Sequence, residues 1–167
     1  MSIQIERICV PTDFSECAEH AVKYGTALAH QYGAKLHLVH VLHDIHEKLQ
    51  HPDFTREGTT VKQFLASLEN GATEYLAKLA LGREAAKLEI VRVYLTGNTG
   101  DEIARYVTQN SIDLVVVGAQ GRNGAKQPRL GSTAERIIRL SPCPVLTVTF
   151  PEERGFLRDD EQLPGVE

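Results

Sequence analysis

Five short segments that read as strands, largely apolar, alternate along this chain with longer segments whose apolar residues recur at helical spacing. The runs are Ile5 to Val10, Leu36 to Leu42, Leu88 to Leu95, Leu114 to Val117 and Val145 to Phe150. Between the first two, Ala18, Ala21, Val22, Gly25, Leu28, Ala29 and Tyr32 fall on one helical face. Ser15 is placed to cap that helix and Gly33 to end it. A second helix is predicted over Val61 to Lys87, with Phe64, Leu65, Leu68, Ala72, Leu76 and Leu79 on one side and Gly71 and Gly82 weakening it. Capping boxes at Thr99–Glu102 and Ser132–Glu135 open two more, the last with Ile137 and Ile138 on its buried side. Strands alternating with helices require parallel pairing. At this length they favour an α/β fold: an open, doubly wound, five-stranded parallel sheet, Rossmann-like, with helices on both faces. In such a sheet the ligand crevice lies outside the carboxyl ends of the strands, where the winding reverses. The segments leaving the first and fourth strands, at Pro11-Thr12-Asp13 and at Gly118, are expected to open onto it.

The stretch from Leu114 to Ala134 says what that crevice could hold. It contains no acidic residue, and its glycine-rich loop carries Arg122, Lys126 and Arg129 before Gly131-Ser132 opens a helix. Glycines let backbone approach a ligand, cations neutralise it, and a helix N-terminus directs free N–H groups at it, so the three together favour a phosphate. Charge elsewhere points to a small anion. Residues 151–167 hold six acids and two arginines, a balance that equals the net charge of −4 for all 167 residues, so residues 1–150 are neutral. A neutral domain followed by an acidic tail argues against a nucleic-acid binder. No run reaches the length of a membrane span and the start has no signal-peptide pattern, so a cytoplasmic protein is expected. Cys9, Cys17 and Cys143 form no Cys-x-x-Cys pair and read as reduced structural thiols.

Two phosphate-binding fingerprints fail. Gly-x-Gly-x-x-Gly should follow the first strand, where Pro11-Thr12-Asp13-Phe14-Ser15 stands, and no Gly-x-x-x-x-Gly-Lys-Ser/Thr is present. What is present is Gly118-x2-Gly121-x9-Gly131-Ser132. With that spacing, with Val10-Pro11-Thr12-Asp13-Phe14-Ser15 ending strand one, His40-Val41 ending strand two and Pro142-Cys143-Pro144-Val145-Leu146 entering strand five, residues 3–150 resemble the universal stress protein family. The resemblance implies an ATP-binding protein, usually dimeric, without an established catalytic reaction. It implies that Asp13 contacts adenine or ribose beside a wall of Pro11 and Thr12, and that the Val41 backbone pairs with the adenine edge. Gly118 and Gly121 would lie along ribose and phosphates, and Gly131, Ser132 and the N–H of Thr133 would hold the outer phosphates. Arg122 is a candidate for direct phosphate contact, and Mg²⁺ is expected to arrive with the nucleotide, held mainly by its oxygens. The gap from Arg122 to Leu130 departs from the family in being polar and in holding Pro128.

Simpler readings stand beside these. Ser132 could serve only as an N-cap reciprocated by Glu135, and Asp13 only as a turn residue. His37, His40, His43 and His46 recur every third residue; on a strand that spacing puts His37 and His40 on opposite faces. His43, His46 and His51, in a loop that could bring them to one metal, have no diagnostic ligand spacing, so no metal site is expected. The stretch from residue 43 to 60 reads as a loop. The apolar run Val145 to Phe150 is expected at a sheet edge, where a second copy could pair to give a homodimer. A nucleotide-independent interaction module of the same fold is the chief rival, and an enzyme the third reading.

Overall fold

The computed structural model describes residues 3–43, 61–79, 83–120 and 130–149. The strands are β1 (Arg7–Pro11), β2 (Lys35–His43), β3 (Ile90–Gly97), β4 (Leu114–Gly118) and β5 (Val145–Val148). The helices are α1 (Glu16–Tyr32), α2 (Val61–Lys78), α3 (Thr99–Gln109) and α4 (Ser132–Leu140), with a 3₁₀ turn at Arg83–Lys87. All pairings are parallel, in the order β3-β2-β1-β4-β5. The winding reverses between β1 and β4, as the sequence predicts, and β5 lies at an edge.

The two-residue period of the strands divides the apolar residues between two cores. Ile8, Val10, Leu36, Leu38 and Val116 pack with Ala21, Val22 and Ala29 of α1 and Leu76 of α2. Cys9, Val39, Val41, Val115 and Val117 face Ile103, Tyr106 and Val107 of α3 and Ile137 of α4 on the other side. Burying each large aliphatic side chain stabilises the fold by roughly 1.5–3 kcal/mol, so both faces must be covered. The centre of the sheet is tied by Asp113, whose Oδ2 accepts from the backbone N–H of Glu6 and of Arg7 at 2.9 Å each. Its own N–H donates to the Arg7 carbonyl at 2.9 Å.

Local expectations hold at some helix ends and fail at others. Ser15 caps α1 by accepting from the Ala18 N–H, and Gly33 closes it with φ +65°. The Thr99–Glu102 box is not formed: Asn98, one residue earlier, is the cap, and its side chain accepts from the Asp101 N–H. The Ser132–Glu135 box is not formed either. Gly131 is the N-cap of α4 without a side-chain hydrogen bond, and Glu135 pairs instead with Arg139 one turn on, at 2.7 Å. The helix predicted over Val61 to Lys87 ends at Lys78. Ile138 is exposed rather than buried beside Ile137. The 43–60 stretch beyond His43, and the acidic tail, lie outside the described residues.

His37 and His40 face opposite sides of β2, as their spacing requires. His37 is buried among the residues facing α3, with Nδ1 2.8 Å from the Tyr106 hydroxyl, and its buried Nε2 finds no partner among the described residues. Burial above all, then Lys35 and Arg7, lowers its pKa from the ordinary 6.5, against a smaller opposing pull from Glu89. Burial, with Cys9 nearby, pushes the Tyr106 phenol up to about 12. The folded state thus binds the His37 proton less tightly than the unfolded chain does. Its contribution to stability is complete above pH 6.5 and is lost as pH falls below that value. Urea midpoints at pH 7, 6 and 5 are expected to fall more steeply for the natural chain than for His37→Gln. The excess slope is bounded by the one-proton limit of about 1.4 kcal/mol per pH unit. Equal slopes would remove His37 as the cause.

Candidate functional site

β1 ends at Pro11, but its ladder runs one bond further, from the Thr12 N–H to the Val39 carbonyl at 2.9 Å. There the chain leaves the sheet in a tight turn. Buried Thr12 accepts from the Phe14 N–H through Oγ1 at 3.1 Å. Asp13 Oδ1 accepts from the Ser15 N–H at 3.0 Å and the Ser15 hydroxyl at 2.5 Å. Asp13 therefore does carry the turn role that its residue type allows, while standing half-buried at the mouth of the crevice.

Val41 buries its side chain against α3, but its backbone has another use. In a parallel strand, alternate residues direct both peptide groups to the same side. Val39 accepts from β1, so Val41 turns its N–H and carbonyl the same way, two residues beyond the last β1–β2 pair, Pro11 with Val39. A planar ligand edge could be read there by backbone alone.

The fourth strand brings the opposite wall. A Cβ on Gly118 would stand 3.1 Å from the backbone carbon, backbone oxygen and Sγ of Cys17, so α1 packs directly on the strand end. This close approach gives the first glycine of the Gly-x2-Gly-x9-Gly-Ser spacing a packing reason that the sequence alone does not display. Beyond it the Ala119 N–H donates to the Val148 carbonyl, and the Gly131 N–H returns to the Ala119 carbonyl, both at 2.7 Å. That second bond fixes the start of α4 beside the end of β4. Ser132 and Thr133, both exposed, form the first turn of α4. First-turn N–H groups have no intrahelical acceptor, and here no side chain caps them, so they present partial positive charge to an anion.

The structure thus gathers Pro11, Thr12, Asp13, Val41, Gly118, Gly131, Ser132 and Thr133 around the reversal point between β1 and β4. Gly121 and Arg122, with Lys126 and Arg129, lie outside the described residues. Among the described residues no three metal-binding side chains converge. No described helix is long and apolar enough to cross a membrane. The residues present suit a nucleotide: a backbone edge for a base, a carboxylate for hydroxyls, and a helix start for phosphates. Phe14 and His40, present in the strand-end motifs of the sequence but with no site role read from them there, also stand beside this turn. Phe14 holds φ +62°, and the His40 ring lies 4.6 Å from it with Nδ1 2.7 Å from the Thr12 carbonyl. A bulky residue at a position calling for a left-handed turn leaves no mark in a pattern of apolar spacing.

Known proteins share this fold. The chain is 29% identical over 148 residues to universal stress protein MJ0531 of Methanocaldococcus jannaschii, covering 89% of this chain and 84% of that one. The solved structure of MJ0577 of the same organism, 27% identical, superposes with a TM-score of 0.67 over 90% of this chain and all of that one. A universal stress protein solved in complex with cAMP, 21% identical, shares the fold with a TM-score of 0.64, covering 88% and 98% of the two chains. The sequence pattern of the universal stress protein family matches residues 4–149. The chain belongs to the universal stress protein family.

Proposed function

We propose that this protein binds an adenine nucleotide, ATP with Mg²⁺, in the crevice between β1 and β4, and works in the cytoplasm as a homodimeric stress-response regulator. The observation that carries the reading is the Gly131-to-Ala119 hydrogen bond, which sets the uncapped start of α4 beside the Thr12–Asp13 turn's strand neighbour, β4. The cAMP complex of a protein with the same fold supports the ligand class. Base and ribose take the Val41 backbone edge and Asp13. The phosphates take Gly118, Gly121, Gly131, Ser132 and Thr133, and Arg122 neutralises their charge. The proposed function is binding rather than turnover, and Asp13, whose Oδ1 accepts from the Ser15 N–H and hydroxyl, serves the turn and the ribose rather than a reaction.

Calorimetry with ATP and AMP, in Mg²⁺, tests this on the natural chain and on Gly121→Val/Ser132→Val. The natural chain is expected to bind in the micromolar range and the variant about a hundredfold more weakly, consistent with loss of two to three phosphate hydrogen bonds. Circular dichroism checks that the variant still folds. Absence of binding by nucleotide-free natural protein would sink the reading in favour of a nucleotide-independent interaction module.

The dimer rests on the edge strand β5, which exposes 39% of Leu146. An apolar edge with unpaired peptide groups is a template for a second copy. Leu146→Lys is expected to shift sedimentation from dimer to monomer.

A further inference from the structure

We propose that His40 is a positioning residue for the crevice: it holds the Thr12–Ser15 turn, with Phe14 in its left-handed conformation, in the shape that presents Thr12 and Asp13 to the ligand. This rests on the nucleotide-binding reading above. Phe14 occupies a backbone conformation that favours glycine, with φ +62°. Such a conformation persists only where the surroundings over-determine it, and four contacts besides the Tyr75 ring do so here. Two come from within the turn, the Phe14 N–H to Thr12 Oγ1 and the Ser15 N–H to Asp13 Oδ1.

The other two come from His40. Its Nδ1 lies 2.7 Å from the Thr12 carbonyl oxygen. A carbonyl only accepts, so Nδ1 carries the proton and donates. The same ring lies against Phe14, centroids 4.6 Å apart and planes 31° apart. The rings continue on both sides: Tyr75 of α2 stands 5.2 Å from Phe14, and Tyr94, the β3 register partner of His40, stands 6.2 Å from the imidazole. The row therefore runs from α2 across the turn to β3, and His40 is the member that both stacks on Phe14 and bonds the turn's backbone. Its neighbour Val41 turns its backbone toward the crevice, so consecutive residues of β2 serve one site, one by holding the turn and one by facing the ligand.

The alternative is a histidine that merely fills space beside Phe14. Two substitutions of similar polarity separate the two roles. Asparagine places a donor where Nδ1 stands, and glutamine places one near Nε2. His40→Asn is expected to keep ATP affinity within about threefold of the natural chain, and His40→Gln to weaken it about tenfold, the equivalent of one lost hydrogen bond. Amide exchange supplies a readout that needs no nucleotide: Phe14 and Ser15 should exchange faster in His40→Gln than in His40→Asn, while Val10 and Val39 stay protected. Equal affinities and equal exchange in the two variants would overturn the positioning role. If the natural chain binds no nucleotide yet His40→Gln alone frees the two amides, His40 still positions the turn, and the nucleotide reading is what fails.

Discussion

Gly25→Val is expected to cost about 3 kcal/mol of folding stability, near the upper end for overpacking a well-filled core. A Cβ at this position in α1 would stand 2.3 Å from Cγ2 of Val10, where no carbon can sit, and 3.8 Å from Leu36 Cδ1. Val10 has no exposed surface and is β-branched, so its χ1 is restricted and it has nowhere to swing. Helix α1 must therefore lift from β1 or the strand must bend, and either opens the core shared by Val22, Ala29 and Leu38. The few tenths of a kcal/mol that valine gains over glycine in helix propensity do not offset this. Gly71 in α2 provides the contrast, since a Cβ there meets nothing within 4 Å. Gly71→Ala is expected to add about 0.5–1 kcal/mol. Urea denaturation checks both, with a lower midpoint for the first, a higher one for the second and unchanged slopes. A Gly25→Val chain as stable as the natural one would refute the close helix–strand approach.

Ile137→Ala is expected to cost about 3 kcal/mol and to weaken nucleotide binding as well. Ile137 is fully buried, and in nine-residue α4 only it and Ala134 are buried. Truncation removes three carbons from a close-packed site and leaves a cavity that a sheet and two helices cannot collapse to fill. The helix so loosened is the one whose first turn faces the crevice, so its start loses the fixed position that makes its N–H groups useful to a phosphate. Ile138→Ala, on the exposed side of the same helix, is expected to change unfolding by less than about 0.5 kcal/mol. Denaturation and calorimetry on the same pair of proteins provide the check. A destabilised Ile137→Ala that binds ATP as the natural chain does would remove α4 from the site.

The architecture was readable from the sequence because burial on both faces leaves a near-continuous apolar run in the inner strands β2 and β4, and the other three strands recur between segments of helical spacing. The reversal point was readable for the same reason, since it follows from strand order. Helix ends were harder. Ser15 is preceded by a turn that forces the chain out of helix, so its capping pattern has one register. At Thr99 and Ser132 the pattern Thr/Ser-x-x-Glu was equally compatible with a helix starting one residue earlier. Asn98 took the first cap by its own side chain, and at the second the Gly131 bond to Ala119 fixed the register from outside. Gly82 hinted at the end of α2, but the good helix formers Ala85, Ala86 and Lys87 beyond it carried the predicted helix past Lys78. What turns the chain is the need to enter β3 at Ile90, in register with Leu36. In the candidate site, the glycine spacing marked the right place but not the full reason for Gly118. Its neighbour Cys17 is far away in sequence, and no local pattern reports a contact of that kind.

The Asp113 tie has a consequence for how the molecule comes into being. β1 finds β2 after one helix, but it cannot find β4 until the chain as far as Asp113 has been made, because the bonds that lock the two strands span 106 and 107 residues. Closing so long a segment carries an entropic cost that the local βαβ unit does not meet, so the β1–β4 pair forms late. The crevice lies at that pair. During synthesis a nascent chain can hold its first three strands without any place for a ligand. On the nucleotide reading proposed above, ligand in the surroundings is expected to favour the completed sheet over a partly made one by mass action.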